Sequence, residues 1–246
     1  MTEAAGKGIR LNRYLAMCGV AARRKAEEYI ASGRIKINGL TVTEPGRQVL
    51  PDDTVEFDGS KVLPETKKYL IINKPRGVLS AVEDARGRTV IDILPQAYAS
   101  YRLFPVGRLD RDSEGLMILT NDGDFSQQLI HPSSGFNKTY QVELRRPMDE
   151  PDLIKWIAGV KYEDLFLKPV SVRRLGRAPL GQWFEVVLAE GIKREIRMMA
   201  RALGNDVRKL YRVKIGRLTL NKLPAGKFID IDRDKLWQYI KNGGAV

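Results

Sequence analysis

Alternating acidic residues in the segment GRLDRDSEGLMILTNDG are the first candidates for chemistry. Asp110, Asp112 and Glu114 are spaced two apart and are followed by Gly115, as in the first half of a calcium-binding loop. The same segment is also compatible with a turn that presents a single reactive aspartate. The two hypotheses make different demands on the surrounding elements, because a calcium loop of this type needs a helix on each side.

The surrounding sequence argues against a calcium site. Counting from Asp110, the twelfth position should be a bidentate glutamate but is Asn121. Pro105 and Gly107 disfavour a helix before the segment, and LMILT after it is typical of a strand. No cluster of cysteine and histidine offers a zinc site. We therefore expect no metal ion and interpret the segment as a turn that carries a reactive aspartate.

Basic residues are concentrated in two parts of the chain. The 246 residues include 42 Lys and Arg against 30 Asp and Glu, a net charge of +12. Residues 1–47 hold nine basic and four acidic residues, and residues 190–217 hold nine basic and three acidic ones. Localised positive charge is typical of proteins that bind a polyanion, most often nucleic acid. The sequence thus predicts two contact regions rather than a uniformly basic surface.

Composition and cysteine content bear on class and compartment. With 43% hydrophobic residues the chain can bury a substantial core, in one large or two smaller domains. It has no apolar run near 18 residues, and MTEAAGKGIR lacks the apolar part of an export signal, so we expect neither membrane insertion nor secretion. Cys18 is the only cysteine and cannot form an intrachain disulfide. We expect a cytoplasmic monomer with no membrane partner.

The first basic region has the pattern of two short helices followed by a hairpin. Helical spacing of apolar residues appears in LNRYLAMC and again in AARRKAEEYI, and each run ends at a glycine. RIKINGLTV then alternates apolar and polar residues, and Asn38-Gly39 supplies a two-residue turn. The basic residues of this unit are Arg10, Arg13, Arg23, Arg24, Lys25, Arg34 and Lys36.

This unit resembles the RNA-binding module named after ribosomal protein S-four, over about Ile9 to Phe57. LNRYLA, GVAARRKAEEYI and GRIKINGLTV carry the resemblance, which implies that the seven basic residues contact RNA. Ala22 departs from the family, which commonly has a serine that could cap the second helix. We predict a module over residues 1–57, followed by a polar linker over residues 58–68.

The remainder of the chain has the pattern of a mixed α+β domain with a largely antiparallel sheet. Short apolar runs predict strands at YLIINK, GLMILT, KTYQVEL, WFEVVL and LYRVKIG. Helical patterns interrupt them after Gly123, from Glu150 to Ala158 and from Ile192 to Leu203. We assign this domain to residues 69–240 and a tail to residues 241–246.

The helix predicted at Ile192–Leu203 carries the second basic region. Its spacing places Ile192, Ile196, Met199 and Leu203 on one face. The same spacing places Lys193, Arg197 and Arg201 on a neighbouring row. Taken alone, Arg197 would be an ordinary surface cation. In combination with the acidic turn, the row is a candidate for anion contact.

Three motifs in order behind the module resemble those of the pseudouridine synthases. They are INKPRGVLS, PVGRLDRDSEGLMILTNDGDF and EGIKREIRMMARALGNDV, and the resemblance covers nearly the entire chain. It is closest to the bacterial ribosomal-RNA branch whose members carry an S-four-like module. The implied reaction is the isomerisation of a uridine in ribosomal RNA or in a ribosomal assembly intermediate, without a cofactor.

The resemblance also implies roles for individual residues. Asp110 matches the catalytic aspartate, Tyr140 the aromatic residue that stacks on uracil, and Arg197 the basic partner of the aspartate. Arg108 and Ile196 match residues that contact the substrate, and Lys193 and Arg201 are expected to bind RNA. Glu195 stands where many relatives have glutamine, and Met198 stands where many have a second basic residue.

The chemistry of uridine isomerisation suits these residue types. A carboxylate either attacks ribose carbon 1′ or removes a sugar proton to form a glycal, and it must be ionised in both routes. The uridine must leave its stack and rest on an aromatic side chain. A non-catalytic RNA-binding or ribosome-assembly protein is the main alternative, and a glycoside hydrolase would need a second acid. The REIR sequence favours large-subunit over small-subunit RNA as the substrate.

Overall fold

A computed structural model describes residues 8–246, which form two compact units. Within that range the smaller unit holds residues 8–67, 100–102 and 121–123, and the larger unit holds the remainder. The segment MTEAAGKGIR, in which the sequence shows no export signal, lies largely outside the described residues. No helix between residues 8 and 246 is long and apolar enough to cross a membrane.

The smaller unit consists of two helices and two small groups of strands. Its elements are β1 (Ile9–Arg10), α1 (Leu11–Met17), α2 (Arg23–Ala31), β2 (Ile35–Ile37), β3 (Leu40–Val42), β4 (Gln48–Val49), β5 (Val55–Phe57) and β6 (Ser60–Lys61). β1 pairs with β4, and the other strands form an antiparallel sheet in the order β3-β2-β5-β6. The two helices and the hairpin occur where the sequence predicts them.

Local sequence explains the shape of the smaller unit. Leu11, Leu15 and Ile30 are fully buried and pack with the apolar side of β2. Asn38 and Gly39 both have positive φ, which the two-residue turn between β2 and β3 requires. Ala22 precedes α2 without a side-chain hydrogen bond to the helix, as its lack of a polar side chain implies.

The larger unit contains the remaining helices and strands. They are β7 (Tyr69–Lys74), β8 (Phe104–Pro105), β9 (Glu114–Thr120), α3 (Gly123–Ile130), β10 (Lys138–Leu144), α4 (Glu150–Ala158), β11 (Val160–Tyr162), β12 (Leu165–Leu167), β13 (Ser171–Arg174), β14 (Trp183–Leu188), α5 (Glu195–Ala202), β15 (Val207–Ile215), β16 (Leu218–Thr219), β17 (Phe228–Asp230), α6 (Arg233–Asn242) and β18 (Gly244–Ala245).

The main sheet of the larger unit has the order β13-β14-β10-β15-β9-β7-β17. β9 and β15 are parallel to each other, and the other neighbours along this path are antiparallel. One core is formed where β7, β9 and the end of β15 pack against α3 and α6. The expected mixed α+β fold with a largely antiparallel sheet is confirmed.

Helix α5 begins later than its apolar spacing predicts. It starts at Glu195, because Arg194 adopts a left-handed conformation with φ 60°. Ile192 and Lys193 therefore lie in the preceding loop and are exposed, so the predicted rows that began with them are wrong at that end. Glu195 accepts a hydrogen bond from the backbone N–H of Ile192 at 3.2 Å, and burial raises the pKa of its carboxyl group.

Candidate active site

The turn that carries Asp110 is held by hydrogen bonds on both sides. Ser80 Oγ donates to the carbonyl of Leu109 at 2.6 Å and accepts from its N–H at 3.1 Å. After the turn, the fully buried Lys74 donates from Nζ to the carbonyl of Ser113 at 2.7 Å. Lys74 ends β7 and Ser113 immediately precedes β9, so the sheet itself fixes the position of Asp110.

Two arginines from the α5 region approach the acidic turn. Asp110 Oδ2 lies 3.5 Å from an Arg194 terminal nitrogen and 3.8 Å from Arg197 Nε. Asp112 Oδ2 lies 2.9 Å from another Arg197 nitrogen, and its other oxygen lies 4.0 Å from Arg194. The two carboxylates and two guanidinium groups thus form one cluster. Two of the three acidic side chains on which the calcium hypothesis was based, Asp110 and Asp112, thus face arginines.

Arg197 is held rigidly behind the aspartates. Its side chain is only 9% exposed, and it donates to the carbonyl of Val207 at 3.2 Å and to Ser113 Oγ at 3.5 Å. Burial lowers the pKa of Arg197, and Asp112 opposes that effect. An arginine side chain remains protonated in proteins, so Arg197 provides a fixed positive charge.

A cavity of about 550 Å³ opens beside this cluster. Asp110, Tyr140 and Ile196 line it, and the last two are 8% and 3% exposed. The exposed residues Arg108 and Lys193 also line it. The volume is in the range of pockets that hold a small organic molecule, and an aromatic ring beside an aliphatic residue suits a planar base.

Of the seven site residues proposed from sequence in the larger unit, the structure brings all but Arg201 to this one place. Arg197 contacts Asp110 but does not line the cavity. Arg201 is elsewhere, since it is exposed and lies 3.5 Å from Asp206. Sequence reasoning did not identify Arg194, whose contacts with Asp110 and Asp112 join residues some eighty positions apart. Within residues 8–246 no group of three or more acidic, histidine or cysteine side chains could hold a metal ion.

The basic residues of the smaller unit fall into two groups. Arg34 lies 4.4 and 4.6 Å from the ring centroids of Tyr29 and Phe57, and its Nε and one terminal nitrogen donate to the two carboxylate oxygens of Asp58. Lys25 is 2.6 Å from Glu28. The others are Arg13, which is half-buried, and four exposed residues, Arg10, Arg23, Arg24 and Lys36.

Comparison with known families and proteins identifies the chain. A family model described as RNA pseudouridylate synthase matches residues 68–202, and the S4 domain model matches residues 9–55. The chain is 37% identical to an RNA pseudouridine synthase of Aquifex aeolicus, over 96% of this chain and 95% of that protein. The chain belongs to the RNA pseudouridine synthase family.

Further members of the family match over most of their length. The chain is 38% identical to ribosomal large subunit pseudouridine synthase B of Bacillus subtilis, covering 88% of this chain and 89% of that protein. It is 34% identical to the dual-specificity RNA pseudouridine synthase RluF of Escherichia coli K12, over 95% of this chain and 79% of that protein. A crystal structure of a pseudouridylate synthase matches this fold with a TM-score of 0.65 at 28% identity, over 93% of this chain and 98% of that protein. The enzyme class and the S4 module expected from the sequence are confirmed.

Proposed function

We propose that the protein converts a specific uridine of large-subunit ribosomal RNA to pseudouridine, with Asp110 as the catalytic carboxylate. The observation that carries this proposal is the position of Asp110 at a cavity of about 550 Å³, which has room for an extruded nucleotide, with Arg194 and Arg197 within 4 Å of its carboxylate. A module that only binds RNA gains nothing from an acid that faces the RNA backbone. An enzyme that acts on ribose carbon 1′ requires one.

The reaction exchanges one bond for another without a redox step. The bond from carbon 1′ to nitrogen 1 of uracil breaks, the base rotates, and a bond to ring carbon 5 forms. The proton on carbon 5 is removed, and nitrogen 1 gains one. Asp110 either bonds to carbon 1′ or removes the 2′ proton, and the guanidinium groups of Arg194 and Arg197, within 4 Å, orient its carboxylate.

The side chains around Asp110 suit an extruded nucleotide. Tyr140 supplies a ring for the detached uracil, and Ile196 supplies an apolar contact. Arg108, exposed two residues before Asp110, is suited to hold the RNA from which the uridine has been displaced. Lys193 lies at the same cavity and is suited to a backbone phosphate.

Large-subunit RNA is the preferred substrate because of the REIR sequence and the names of the relatives. One of them is named for the large ribosomal subunit and another for dual specificity. We propose that residues 1–57 bind the RNA, residues 58–68 link the domains, and residues 69–240 carry out catalysis, leaving residues 241–246 outside. We further propose that the enzyme acts in the cytoplasm as a monomer on RNA or on an assembling subunit.

A pseudouridine map of both ribosomal RNAs tests the proposal. Cells that lack the gene should lose at least one large-subunit pseudouridine, and the wild-type gene should restore it. Asp110→Asn preserves side-chain size but removes the ionisable group, so it should bind RNA and restore nothing. Its expression level and affinity for the RNA are the controls.

Three results would contradict parts of this proposal. Restoration by Asp110→Asn would remove Asp110 from catalysis. Loss of a small-subunit site alone would replace the substrate and leave the enzyme class unchanged. An unchanged map would favour a protein that binds RNA without modifying it.

A further inference from the structure

Arg212 is a buried cation at the cavity for which the proposed reaction has no role. It lies on β15 directly opposite Tyr140 of β10, and it is only 4% exposed. Its Nε donates to the carbonyl of Leu116 at 2.7 Å. One terminal nitrogen has no hydrogen-bond acceptor among the described residues, and no carboxylate of residues 8–246 lies within 4 Å of the guanidinium.

An unpaired buried charge of this kind is costly and needs a compensating partner. Removing a charged group from water is unfavourable unless an opposite charge is near. Arg194 and Arg197 have such partners in Asp110 and Asp112. Arg212 has a carbonyl, which satisfies one N–H and leaves the charge uncompensated.

A second cation lies on the same side of the cavity. Lys138, the first residue of β10, is half-buried and donates to the carbonyl of Ala189 at 3.3 Å. Burial lowers the pKa of Lys138 and the charge of Arg212 lowers it further, so the two cations are close enough to repel each other; Glu190 opposes this shift but lies beyond ion-pair distance of Lys138. The cavity as a whole is lined by five basic and three acidic residues. Two neighbouring cations without an ion-paired acid form a site for an anion.

We propose that Arg212 and Lys138 bind a backbone phosphate adjacent to the target uridine. This inference rests on the proposed function, because a ribose placed at Asp110 brings its own flanking phosphates into the same cavity. A uracil carbonyl could accept one hydrogen bond but would leave the charge of Arg212 uncompensated. A phosphate supplies both the acceptor and the charge, and a guanidinium binds it well.

The test uses the ribosomal stem–loop that contains the uridine found by mapping. Each of the two linkages that flank this uridine is made neutral in turn as a methylphosphonate. The nucleotide on the 5′ side of each neutral linkage is 2′-deoxy, because a 2′-hydroxyl would cleave the methylphosphonate. The reference RNA carries the same 2′-deoxy nucleotide with an ordinary phosphate. The dissociation constant is measured for wild-type protein and for Arg212→Gln. Conversion of the unmodified stem–loop by wild-type protein is measured first, since its failure would contradict the proposed function rather than this inference.

One of the two neutral linkages should weaken wild-type binding by about 10- to 100-fold, as expected for a charged hydrogen bond. Arg212→Gln should weaken binding to the reference RNA by a similar factor and should be almost insensitive to that same linkage. Arg173→Gln is the matched control, because it removes an exposed arginine from β13 of the same sheet. It should leave the linkage effect unchanged.

Two further variants protect the test against a failure to fold. Arg212→Lys keeps the charge and should retain part of the linkage effect. Lys138→Gln alters a side chain that is not fully buried, and it should reduce sensitivity to the same linkage as Arg212→Gln. The deciding quantity is the loss of affinity that each neutral linkage causes in a folded variant. If both linkages weaken binding by Arg212→Gln, or by Lys138→Gln, as much as they weaken binding by wild-type protein, the proposed phosphate site is wrong.

Discussion

Asp110 and Asp112 differ in what they can do, although both face the same arginines. Arg197 makes its shortest contact, 2.9 Å, with Asp112, whereas both contacts to Asp110 are 3.5 Å or longer. Asp110 lines the cavity and Asp112 does not. Asp112 therefore anchors the fixed charge of Arg197, and Asp110 is left able to approach a substrate while remaining near that charge.

Tyr140 can be divided experimentally into its ring and its hydroxyl group. Tyr140→Phe should bind RNA normally because the ring is retained, but turnover should fall by roughly 100-fold or more if the hydroxyl removes the carbon 5 proton. Tyr140→Leu should lose both affinity and turnover. Single-turnover conversion and equilibrium binding of the same stem–loop measure the two effects. Normal turnover by both variants would mean that Tyr140 is only a packing residue.

Lys74 should make stability depend on pH in the alkaline range. Burial lowers its pKa from 10.5 to about 8 in the folded protein. Between these values the unfolded chain binds more protons, so the free energy of unfolding should rise with pH, by roughly 3 kcal/mol in total. Below about pH 8 this contribution should be constant.

Denaturant unfolding of wild-type protein and Lys74→Met at pH 7.5 and 10 measures that contribution. The difference between the two proteins should change with pH, whereas Lys168→Met, which alters an exposed lysine, should follow the wild type. Parallel pH dependence of Lys74→Met and wild type would show that Lys74 is not deprotonated in this range.

The pairing of β9 with β15 controls how the acidic turn meets the rest of the site. Gly115 lies opposite Arg212 and has φ +111°, and an added Cβ would lie 2.3 Å from the carbonyl oxygen of Arg212. Only glycine fits that conformation and that close approach. β9 can therefore run beside β15 and deliver Asp110, a few residues earlier, to the cavity.

Gly115→Ala should destabilise the larger unit by at least about 3 kcal/mol, because backbone strain and overpacking add. Gly123→Ala is the control, since it begins α3 and an added Cβ meets nothing within 4 Å. Alanine is also the better helix former, so this variant should be neutral or slightly stabilised. Urea unfolding measures both, and similar stabilities would contradict the importance of the close approach.

The charge of the whole molecule is organised so that only part of it is available to RNA. In the smaller unit, Lys25 and Arg34 are already paired with acids, whereas Arg23 and Arg24 are exposed at the start of α2. Unpaired cations displace more counterions when they bind a phosphate. Affinity and its salt dependence should therefore come unequally from these residues.

Replacing Arg23 and Arg24 together by Gln should weaken the slope of log affinity against log salt by roughly 1.5 units, if each contacts one phosphate. The matched double variant, Lys25→Gln with Arg34→Gln, removes the same charge but should change the slope less. Titrations of the stem–loop from low to high salt measure the slopes. Equal slopes for the two double variants would contradict this division of the basic residues.

Short-range patterns were sufficient for much of the fold. In KTYQVEL, which forms β10, apolar and polar residues alternate, and EPDLIKWIA has helical spacing over all of α4. Asn38-Gly39 predicts its turn. Each of these patterns depends on residues only a few positions apart. The start of α5 was missed because the left-handed Arg194 faces Asp110 and Asp112, some eighty residues earlier in the chain. No local spacing contains that ion pair.

The same contrast applies to the site. Motif resemblance was enough to propose Asp110, Tyr140 and Arg197, because their order and neighbours are distinctive in the sequence. In the sequence Arg212 is one of many basic residues. Its burial beside Gly115 and its hydrogen bond to the carbonyl of Leu116 arise only when β15 pairs with β9. The charge of Arg212 acquires a large desolvation penalty only when folding buries it, and the residues that bury it are distant in the chain.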